Sequence, residues 1–261
     1  MAPTVDGSSE VLGHELFGSG PRRVVVLNDW FCDTSTWDGA RAYLDTARMT
    51  YAFADLRGYG RSRRRTGRFD VAEAAGDVIA LADALRWPRF AIVGHSMSTL
   101  VALHLAQQRA DRIERAVVLT PPPPSGFGAD DAAIAASRAV AEGDAAAQLA
   151  WFQARSAGRL SDGWLAFKAA RWRATADPRA ASGYVTMFAR DGVPDRTRPI
   201  AVPVLAITGE EDAPPMRSEA VARALSPLCT DLVVSPLPCG HYPMQEMPPL
   251  LVTRVERFLA A

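Results

Sequence analysis

Short runs of apolar residues alternate with longer segments of helical period along most of the chain. The runs are rich in β-branched and aromatic residues, which predicts buried strands. Strands that alternate with helices are typical of βαβ units, so we predict an α/β fold with a mostly parallel central sheet flanked by helices. The predicted strands are Val24 to Leu27, Tyr51 to Asp55, Phe90 to Val93, Ala116 to Leu119, Val204 to Thr208 and Leu232 to Ser235.

Two amphipathic helices and an edge strand complete the predicted core. From Asp70 to Arg86 apolar residues recur on one helical face, and Glu73 stands at capping-box spacing from Asp70. A proline pair at Pro248 precedes another amphipathic stretch, which predicts a terminal helix. Turn residues follow Val11 to Phe17, so we expect an edge strand there, at the antiparallel end of the sheet.

The alternation stops between residues 127 and 198, where Ala-rich stretches of helical period are interrupted by glycines and a proline. Large apolar side chains are too frequent in this segment for a surface loop. We therefore predict a helical cap over residues 127–198, inserted into a core formed by residues 1–126 and 199–261. The expected helix breaks are Gly143, Gly158, Gly163, Pro178, Gly183 and Gly192.

Charge and cysteine content limit the classes of partner. The 261 residues include 29 Lys and Arg and 29 Asp and Glu, so no net charge draws the chain to nucleic acid or an anionic membrane. Lys168 is the only lysine, and we attribute this arginine bias to coding composition. Three cysteines without a CxxC pair fit neither a disulfide framework nor a zinc site.

These features predict a soluble, cytoplasmic protein with a small-molecule substrate and no metal or cofactor. The segment Met1 to Glu10 is polar and has no apolar signal core. No window approaches the roughly 18 apolar residues of a membrane span. We expect neither nucleic acid nor a membrane as partner, and the sequence leaves a homodimer open.

The strongest chemical signal is Gly94-His95-Ser96-Met97-Ser98, where a buried strand leads into an amphipathic helix with a serine at the turn. Such a nucleophile elbow exposes the serine hydroxyl on a strained backbone and tolerates only small residues two positions before and after it. Gly94 and Ser98 are both small. The alternative is that Ser96 merely caps an ordinary helix.

A serine nucleophile requires a histidine base and a carboxylate that orients it, in the chain order serine, acid, histidine. Of the four histidines, His241 alone lies in a loop between the last strand and the terminal helix. Asp212 stands three residues beyond Gly209, which ends a strand. Glu210 and Glu211 compete with it, but we expect both in a solvated loop. The sequence thus indicates Ser96, His241 and Asp212 as catalytic residues.

With these residues in place, the chain resembles the α/β-hydrolase superfamily over nearly its whole length. It is most similar to the capped branch of esterases, lactonases, cofactor-free perhydrolases and carbon–carbon hydrolases. The resemblance rests on the elbow, on Asp55 to Ser62 after the second core strand, and on the turns at Gly209 and Gly240. The elbow is also similar to that of hydrolase-like signalling receptors. The resemblance implies that the amides of Trp30 and Met97 form an oxyanion hole.

One segment departs from the family pattern, because Asn28 and Asp29 stand where the family usually has His-Gly. A residue other than glycine restricts the backbone there, and a carboxylate that faced the oxyanion would oppose its charge. Our hypothesis is that Asp29 turns away and accepts hydrogen bonds from loop amides, which leaves the hole functional. Cys32 is an alternative second nucleophile, but nothing in the sequence around it predicts a thiolate.

The residues and the resemblance together predict a serine hydrolase that cleaves a small, largely apolar carboxylic ester or lactone through an acyl-enzyme. Two alternatives stay open: hydrolysis of a carbon–carbon bond in a diketone-like substrate, and a ligand-sensing protein with little turnover. Aromatic residues in the predicted cap imply an apolar pocket. The predicted substrate-binding residues are Phe31, Trp151, Phe152, Trp164, Phe188 and Tyr242.

Overall fold

The computed structural model describes residues 11–261, so the segment Met1 to Glu10 and the expectation attached to it lie outside the described residues. Within residues 11–261 seven strands form one sheet in the order β1-β3-β2-β4-β5-β6-β7. Strand β1 runs antiparallel to β3, and the other neighbouring pairs are parallel. The predicted fold and the antiparallel edge strand are confirmed. The strands are β1 His14–Phe17, β2 Arg22–Leu27, β3 Met49–Ala54, β4 Phe90–His95, β5 Ile113–Leu119, β6 Val204–Gly209 and β7 Leu232–Leu237.

Helices cover the sheet and fill the connection between β5 and β6. Helix α3 packs on β4 and β5, and α8 packs on β6 and β7. The α-helices of the described residues are α1 Asp38–Arg41, α2 Val71–Ala84, α3 Ser98–Gln108, α4 Asp131–Glu142, α5 Ala145–Ser156, α6 Asp162–Thr175, α7 Pro178–Thr186, α8 Ser218–Leu225, α9 Pro243–Glu246 and α10 Pro248–Ala260. None of the helices in residues 11–261 combines the length and apolar character needed to cross a bilayer.

The central strands are buried on both faces. Every residue of β3, β4 and β6 is buried, as expected where helices cover both sides of a parallel sheet. The carboxyl ends of parallel strands meet at one edge, so the loops after β2, β4, β6 and β7 converge there. That edge is where the polar residues singled out in the sequence come together.

Helix α2 begins where the sequence predicts, but its capping differs. The Asp70 carboxylate accepts a hydrogen bond from the Glu73 amide at 2.7 Å, as an N-cap residue does. The Glu73 carboxylate accepts from the amides of Arg68 and Phe69, at 2.8 and 2.9 Å, and not from the Asp70 amide. Glu73 therefore holds the turn that precedes the helix and does not complete the expected reciprocal box.

Four helices, α4 to α7, occupy the segment that we predicted to be a cap. Gly143 follows α4, and Pro178 begins α7 with the fixed φ angle that suits a first helical residue. Two expected breaks are wrong, because Gly163 and Gly183 lie inside α6 and α7. Gly183 is small for a packing reason, since a Cβ there would collide with the Phe69 ring. The cap limits of 127 and 198 stay a prediction.

Candidate active site

Ser96 lies at a strained turn between β4 and α3. Its φ angle is 54°, in the left-handed region that residues other than glycine rarely adopt. The Ser96 amide donates to the Leu119 carbonyl at 2.9 Å. The Ser96 carbonyl accepts from the Thr99 amide at 3.0 Å and from the Thr99 hydroxyl at 2.6 Å. These bonds hold the turn in the shape that projects the serine hydroxyl.

The two small residues around Ser96 fit the turn for different reasons. A Cβ on Gly94 would lie 2.6 Å from the Ser98 carbonyl oxygen, so the close approach of strand and helix requires glycine. The Ser98 hydroxyl accepts from the His95 amide at 2.9 Å and donates to the His95 carbonyl at 3.1 Å. The extra hydroxyl that the sequence placed near Ser96 is therefore taken up by the backbone of the turn.

The structure brings Ser96, His241 and Asp212 into one hydrogen-bonded chain. His241 Nε2 lies 2.9 Å from Ser96 Oγ, and His241 Nδ1 lies 2.7 Å from Asp212 Oδ2. Only 8% of Ser96 and 7% of His241 is exposed to solvent. Asp212 Oδ1 accepts from the Ala213 amide at 2.7 Å. The arrangement is that of a nucleophile, a base and an orienting acid; the catalytic roles themselves stay a prediction.

Electrostatics favour an ionised Asp212. Burial by itself raises the pKa of this carboxyl, but the His241 imidazole and its hydrogen bond outweigh burial and hold the pKa below its ordinary value. A carboxylate accepts hydrogen bonds only, so we assign the imidazole proton to Nδ1. The Nε2 lone pair of His241 then faces the Ser96 hydroxyl, ready to take its proton.

The two neighbouring acids do other things. Glu211 is exposed, as expected for a solvated loop. Glu210 is only half-buried, and its carboxylate accepts from the amide and hydroxyl of Ser218 at 3.1 and 3.0 Å. The expectation that Glu210 is merely solvated is therefore wrong, since its carboxylate also anchors the segment that leads into α8.

The loop after β2 is shaped by Asn28, which stands where the family has histidine. The Asn28 Nδ2 amide donates to the Cys32 carbonyl at 3.0 Å, and its Oδ1 accepts from the Leu56 amide at 2.8 Å. The carbonyl of Trp30 accepts from the buried Tyr59 hydroxyl at 2.8 Å. Within residues 11–261 the amides of Trp30 and Met97 donate to no protein acceptor. We call residues 28–34 the oxyanion loop.

Asp29, the second residue of this loop, is fully buried. Its Oδ1 accepts from the Cys32 amide at 3.3 Å and from the Cys32 thiol at 3.6 Å, which is the contact with a loop amide that our hypothesis required. Burial and the Asp29 charge raise the pKa of Cys32 to about 12. The thiol stays protonated at neutral pH, which argues against Cys32 as a second nucleophile.

His95, inside the elbow, contacts the predicted base in a way the sequence did not predict. Its Nε2 lies 2.8 Å from the His241 carbonyl, and burial lowers its pKa to about 4, so the ring is neutral and donates from Nε2. Its Nδ1 then carries a lone pair, 3.9 Å from Asp29 Oδ2. Two acceptors face each other there, so this contact is not an ion pair.

Comparison with known proteins decides the family. Residues 24–254 match the family model described as alpha/beta hydrolase family. The chain belongs to this family. Over 96% of each chain, the fold of this hydrolase is similar to that of an enol-lactonase from Burkholderia xenovorans LB400, with a TM-score of 0.78 and 23% identity.

Curated relatives of this hydrolase match over a shorter stretch. A 2-heptyl-3-hydroxy-4(1H)-quinolone dioxygenase from Mycobacteroides abscessus is 34% identical over 41% of this chain and 38% of its own length. A 3-oxoadipate enol-lactonase from Acinetobacter baylyi is 28% identical over 44% of this chain and 43% of its own length. The chain therefore aligns with less than half the length of these relatives.

The six aromatic residues predicted to bind substrate form one continuous cluster in the hydrolase. Trp30 links Phe31, Trp151 and Phe188, with ring centroids 4.8 to 5.6 Å apart. The cluster continues to the ring of Tyr242, 5.3 Å from the His241 ring. Sequence reasoning left out Trp172, which is buried and lies 5.0 Å from Phe31 and 5.5 Å from Trp30. The remaining links are Phe31 to Phe152, Phe152 to Trp164, and Trp164 to Tyr242.

Helix α6 and the loop that precedes it contact α9, the short helix that follows the His241 loop. Arg159 forms an ion pair with Glu246 at 2.7 Å. Glu246 in turn accepts from the amides of Gly240 and Tyr242, on either side of His241, at 2.8 and 3.2 Å. The Trp164 indole donates to Gln245 Oε1 at 3.1 Å. The predicted cap thus holds the loop that carries the proposed base.

Proposed function

We propose that this α/β hydrolase is a serine hydrolase that cleaves a small, largely apolar carboxylic ester or lactone. The observation that carries the proposal is the bridge that His241 makes between Ser96 at 2.9 Å and Asp212 at 2.7 Å, with Ser96 at a strained turn. Proton transfer from a hydroxyl requires a base within hydrogen-bond reach, and this geometry provides it before any substrate binds.

In the first half-reaction, Ser96 Oγ attacks the substrate carbonyl carbon while His241 Nε2 takes the hydroxyl proton. The electron pair of the carbonyl moves to its oxygen and then returns to expel the alcohol oxygen, which receives the proton from His241. A lactone opens at this step and keeps its alcohol in the same molecule. Asp212 remains ionised and stabilises the imidazolium.

In the second half-reaction, water attacks the acyl group on Ser96 and gives a proton to His241 Nε2. The ester bond to Ser96 breaks, and the serine oxygen recovers that proton. We assign the stabilisation of the oxyanion in both halves to the amides of Trp30 and Met97, each worth about 2.7 to 4 kcal/mol in sites of this kind. Their lack of a protein acceptor within residues 11–261 supports this role.

The aromatic cluster supports an apolar substrate. Pockets lined by such side chains bind apolar groups and are oriented by a few polar contacts. The low exposure of Ser96 and His241 favours a small substrate. The two enol-lactonases among the similar proteins make lactones a suitable part of the first screen. We further propose a cytoplasmic enzyme that acts on a free small molecule, without nucleic-acid or membrane partners; a homodimer stays open.

The direct test is labelling with a fluorophosphonate, which an activated serine attacks with loss of fluoride. Intact mass should show one added group on the wild type and none on Ser96→Ala or His241→Ala. Ester or lactone turnover should fall at least about 10⁴-fold in Ser96→Ala. Ser98→Ala is the matched control, because it removes the hydroxyl two residues away and should still be labelled. Retained turnover in Ser96→Ala contradicts the proposal.

Two other results would favour the alternatives. A wild type that is labelled but cleaves only diketone-like substrates is a carbon–carbon hydrolase that uses the same residues. A wild type that resists labelling, but whose melting temperature rises with a ligand that it turns over more slowly than it exchanges, is a ligand sensor. Parallel profiling of esters, lactones and diketones distinguishes these outcomes.

A further inference from the structure

Lys168 is buried beside the proposed site. It is the only lysine of the chain, and none of it is exposed to solvent. Its Nζ lies 3.3 Å from Cys32 Sγ, 3.4 Å from Thr36 Oγ1 and 4.0 Å from the centre of the Tyr242 ring. Lys168 belongs to α6, whereas all three contacts belong to the loops after β2 and β7. A buried ammonium is costly unless a negative charge compensates it.

The compensating charge is Asp29, which Lys168 reaches through a thiol. Lys168 Nζ donates to Cys32 Sγ at 3.3 Å, and Cys32 Sγ donates to Asp29 Oδ1 at 3.6 Å. Burial by itself raises the pKa of Asp29, but electrostatic interactions, of which that with Lys168 is the largest, outweigh burial and keep the pKa below its ordinary value. Asp29 is therefore an ionised carboxylate inside the protein.

No other cation competes for this role among the groups that face Asp29 in the described residues. His95 is neutral and points a lone pair at it. The Tyr242 hydroxyl stays protonated, because burial raises its pKa well above the ordinary value. His241 Nδ1 donates its proton to Asp212. As the base of the proposed reaction, His241 carries a positive charge only during turnover, so it does not permanently compensate Asp29. Lys168 supplies the fixed positive charge.

We infer that Lys168 is a positioning residue, whose ammonium compensates the Asp29 carboxylate of the oxyanion loop and so keeps that negative charge from opposing the oxyanion. The inference rests on the proposed function. Asp29 immediately precedes Trp30, whose amide we assign to the oxyanion hole. A carboxylate can stand at this position because α6 brings a cation to it, and the oxyanion loop is complete only when α6 is docked.

The test compares Lys168→Met, Asp29→Asn and the double variant. Lys168→Met leaves a buried, uncompensated carboxylate, so kcat and the fluorophosphonate labelling rate should fall by at least about tenfold, approaching the 10²–10³-fold loss that follows removal of an oxyanion-hole donor. KM should change by less than about threefold, since ground-state binding is not altered. Asp29→Asn leaves a cation and should lose far less. Adding Asp29→Asn to Lys168→Met should recover most of the lost rate.

The sign of the charge decides the outcome. A merely structural lysine predicts that the double variant is as slow as Lys168→Met or slower, and that result overturns the inference. A rise in KM with unchanged kcat also overturns it, because Lys168 would then bind the substrate. Arg173→Met is the matched control, since it removes an exposed cation from the same helix and should leave the rate unchanged.

Failure of the proposed function gives a different result. If the wild type is neither labelled nor hydrolytic, it has no functional oxyanion hole. The interaction of Lys168 with Asp29 is then measured by the free energy of unfolding instead of by the rate. The free energy of unfolding should then fall more when Lys168→Met is made in the wild type than when it is made in Asp29→Asn. Equal losses in both backgrounds, or failure of both Lys168 variants to fold, would overturn the pairing.

Discussion

The core side of Ser96 and the side of the predicted cap use ionisable groups in different ways. On the core side, Asp212 and His241 are joined directly at 2.7 Å, and His241 meets Ser96 at 2.9 Å. On the cap side, Lys168 reaches Asp29 only through the Cys32 thiol. Proton transfer requires contact at hydrogen-bond distance, whereas Coulomb compensation falls off only as the inverse of distance. The residues on the core side must therefore be aligned for proton transfer, whereas Lys168 on the other side needs only to place a compensating charge near Asp29.

The largest expected effect is loss of alignment on the core side. Asp212→Asn replaces the acceptor of the His241 Nδ1 proton with an amide that can donate, which favours the wrong imidazole tautomer. We expect kcat to fall by about 10⁴-fold with little change in folding. Steady-state kinetics on the best ester or lactone, with circular dichroism as the check on folding, measure this.

Glu211→Gln is the matched control for Asp212→Asn. It removes a carboxylate from the adjacent residue, which is exposed and does not contact His241. Its kcat should stay within about twofold of the wild type, as is usual for an exposed site away from the reacting groups. Equal losses in the two variants would mean that the net charge of the loop, and not the contact with His241, determines the rate.

The positions of Ser96, His241 and Asp212 could be predicted, because the chain order serine, acid, histidine leaves few candidates for each. Ser96 stands at a turn with a recognisable pattern, and His241 and Asp212 follow strands whose carboxyl ends share one edge with β4. Lys168 had no such motif, and its rarity entered the sequence analysis only as part of an arginine bias that we attribute to coding composition. A signal was present, because Trp164, Lys168 and Trp172 recur every four residues and share one face of α6. A lone lysine on a tryptophan-lined helix face indicates a buried cation.

The smaller prediction errors also arise because sequence spacing alone does not specify the contacts of a side chain. Glu73 and Glu210 each stand at a plausible local position, yet their carboxylates bind neighbouring backbone amides at 68 and 69 and at Ser218. Which amide a carboxylate finds depends on the path of the turn, which spacing alone does not specify. His95 was passed over because its contact, the His241 carbonyl, lies 146 residues further along the chain.

A pH experiment sharpens the comparison, because His95 lies between the two sides. Its pKa is lowered by burial to about 4 in the folded state, from 6.5 in the unfolded chain. The unfolded state therefore binds the extra proton first as the pH falls from 6.5 to 4. His95 should reduce stability by on the order of 3 kcal/mol across this window and contribute no further loss below it. Urea denaturation at several pH values measures the slope.

His95→Gln isolates this contribution. Glutamine keeps a donor for the His241 carbonyl but does not titrate, so the pH dependence between 6.5 and 4 should flatten. His104, whose pKa burial also lowers, remains in both proteins and cancels in the comparison. If His95 instead formed an ion pair with Asp29, the pKa of His95 would be raised. The wild type would then lose stability as the pH rises, and His95→Gln would not show this loss.

The smallest expected effect tests how closely the cap packs on the core. Gly183 in α7 and Gly163 in α6 are both helical glycines, so propensity alone predicts that alanine stabilises each by up to about 1 kcal/mol. A Cβ at 183 would collide with the Phe69 ring, whereas a Cβ at 163 has its nearest neighbour, Ser161 Oγ, at 3.8 Å. Gly183→Ala should therefore destabilise by about 1 to 3 kcal/mol through overpacking. Gly163→Ala should be neutral or stabilising.

Because the contact of Gly183 joins α7 to the turn before α2, the loss in Gly183→Ala should appear as a lower urea midpoint. Activity should decline less than in Lys168→Met, since no charge changes. Equal midpoints for the two alanine variants would show that α7 can shift away from Phe69 at no cost. The cap would then be held mainly by its contacts at the active site, by Lys168 and by Arg159, and its packing on the rest of the core would matter little.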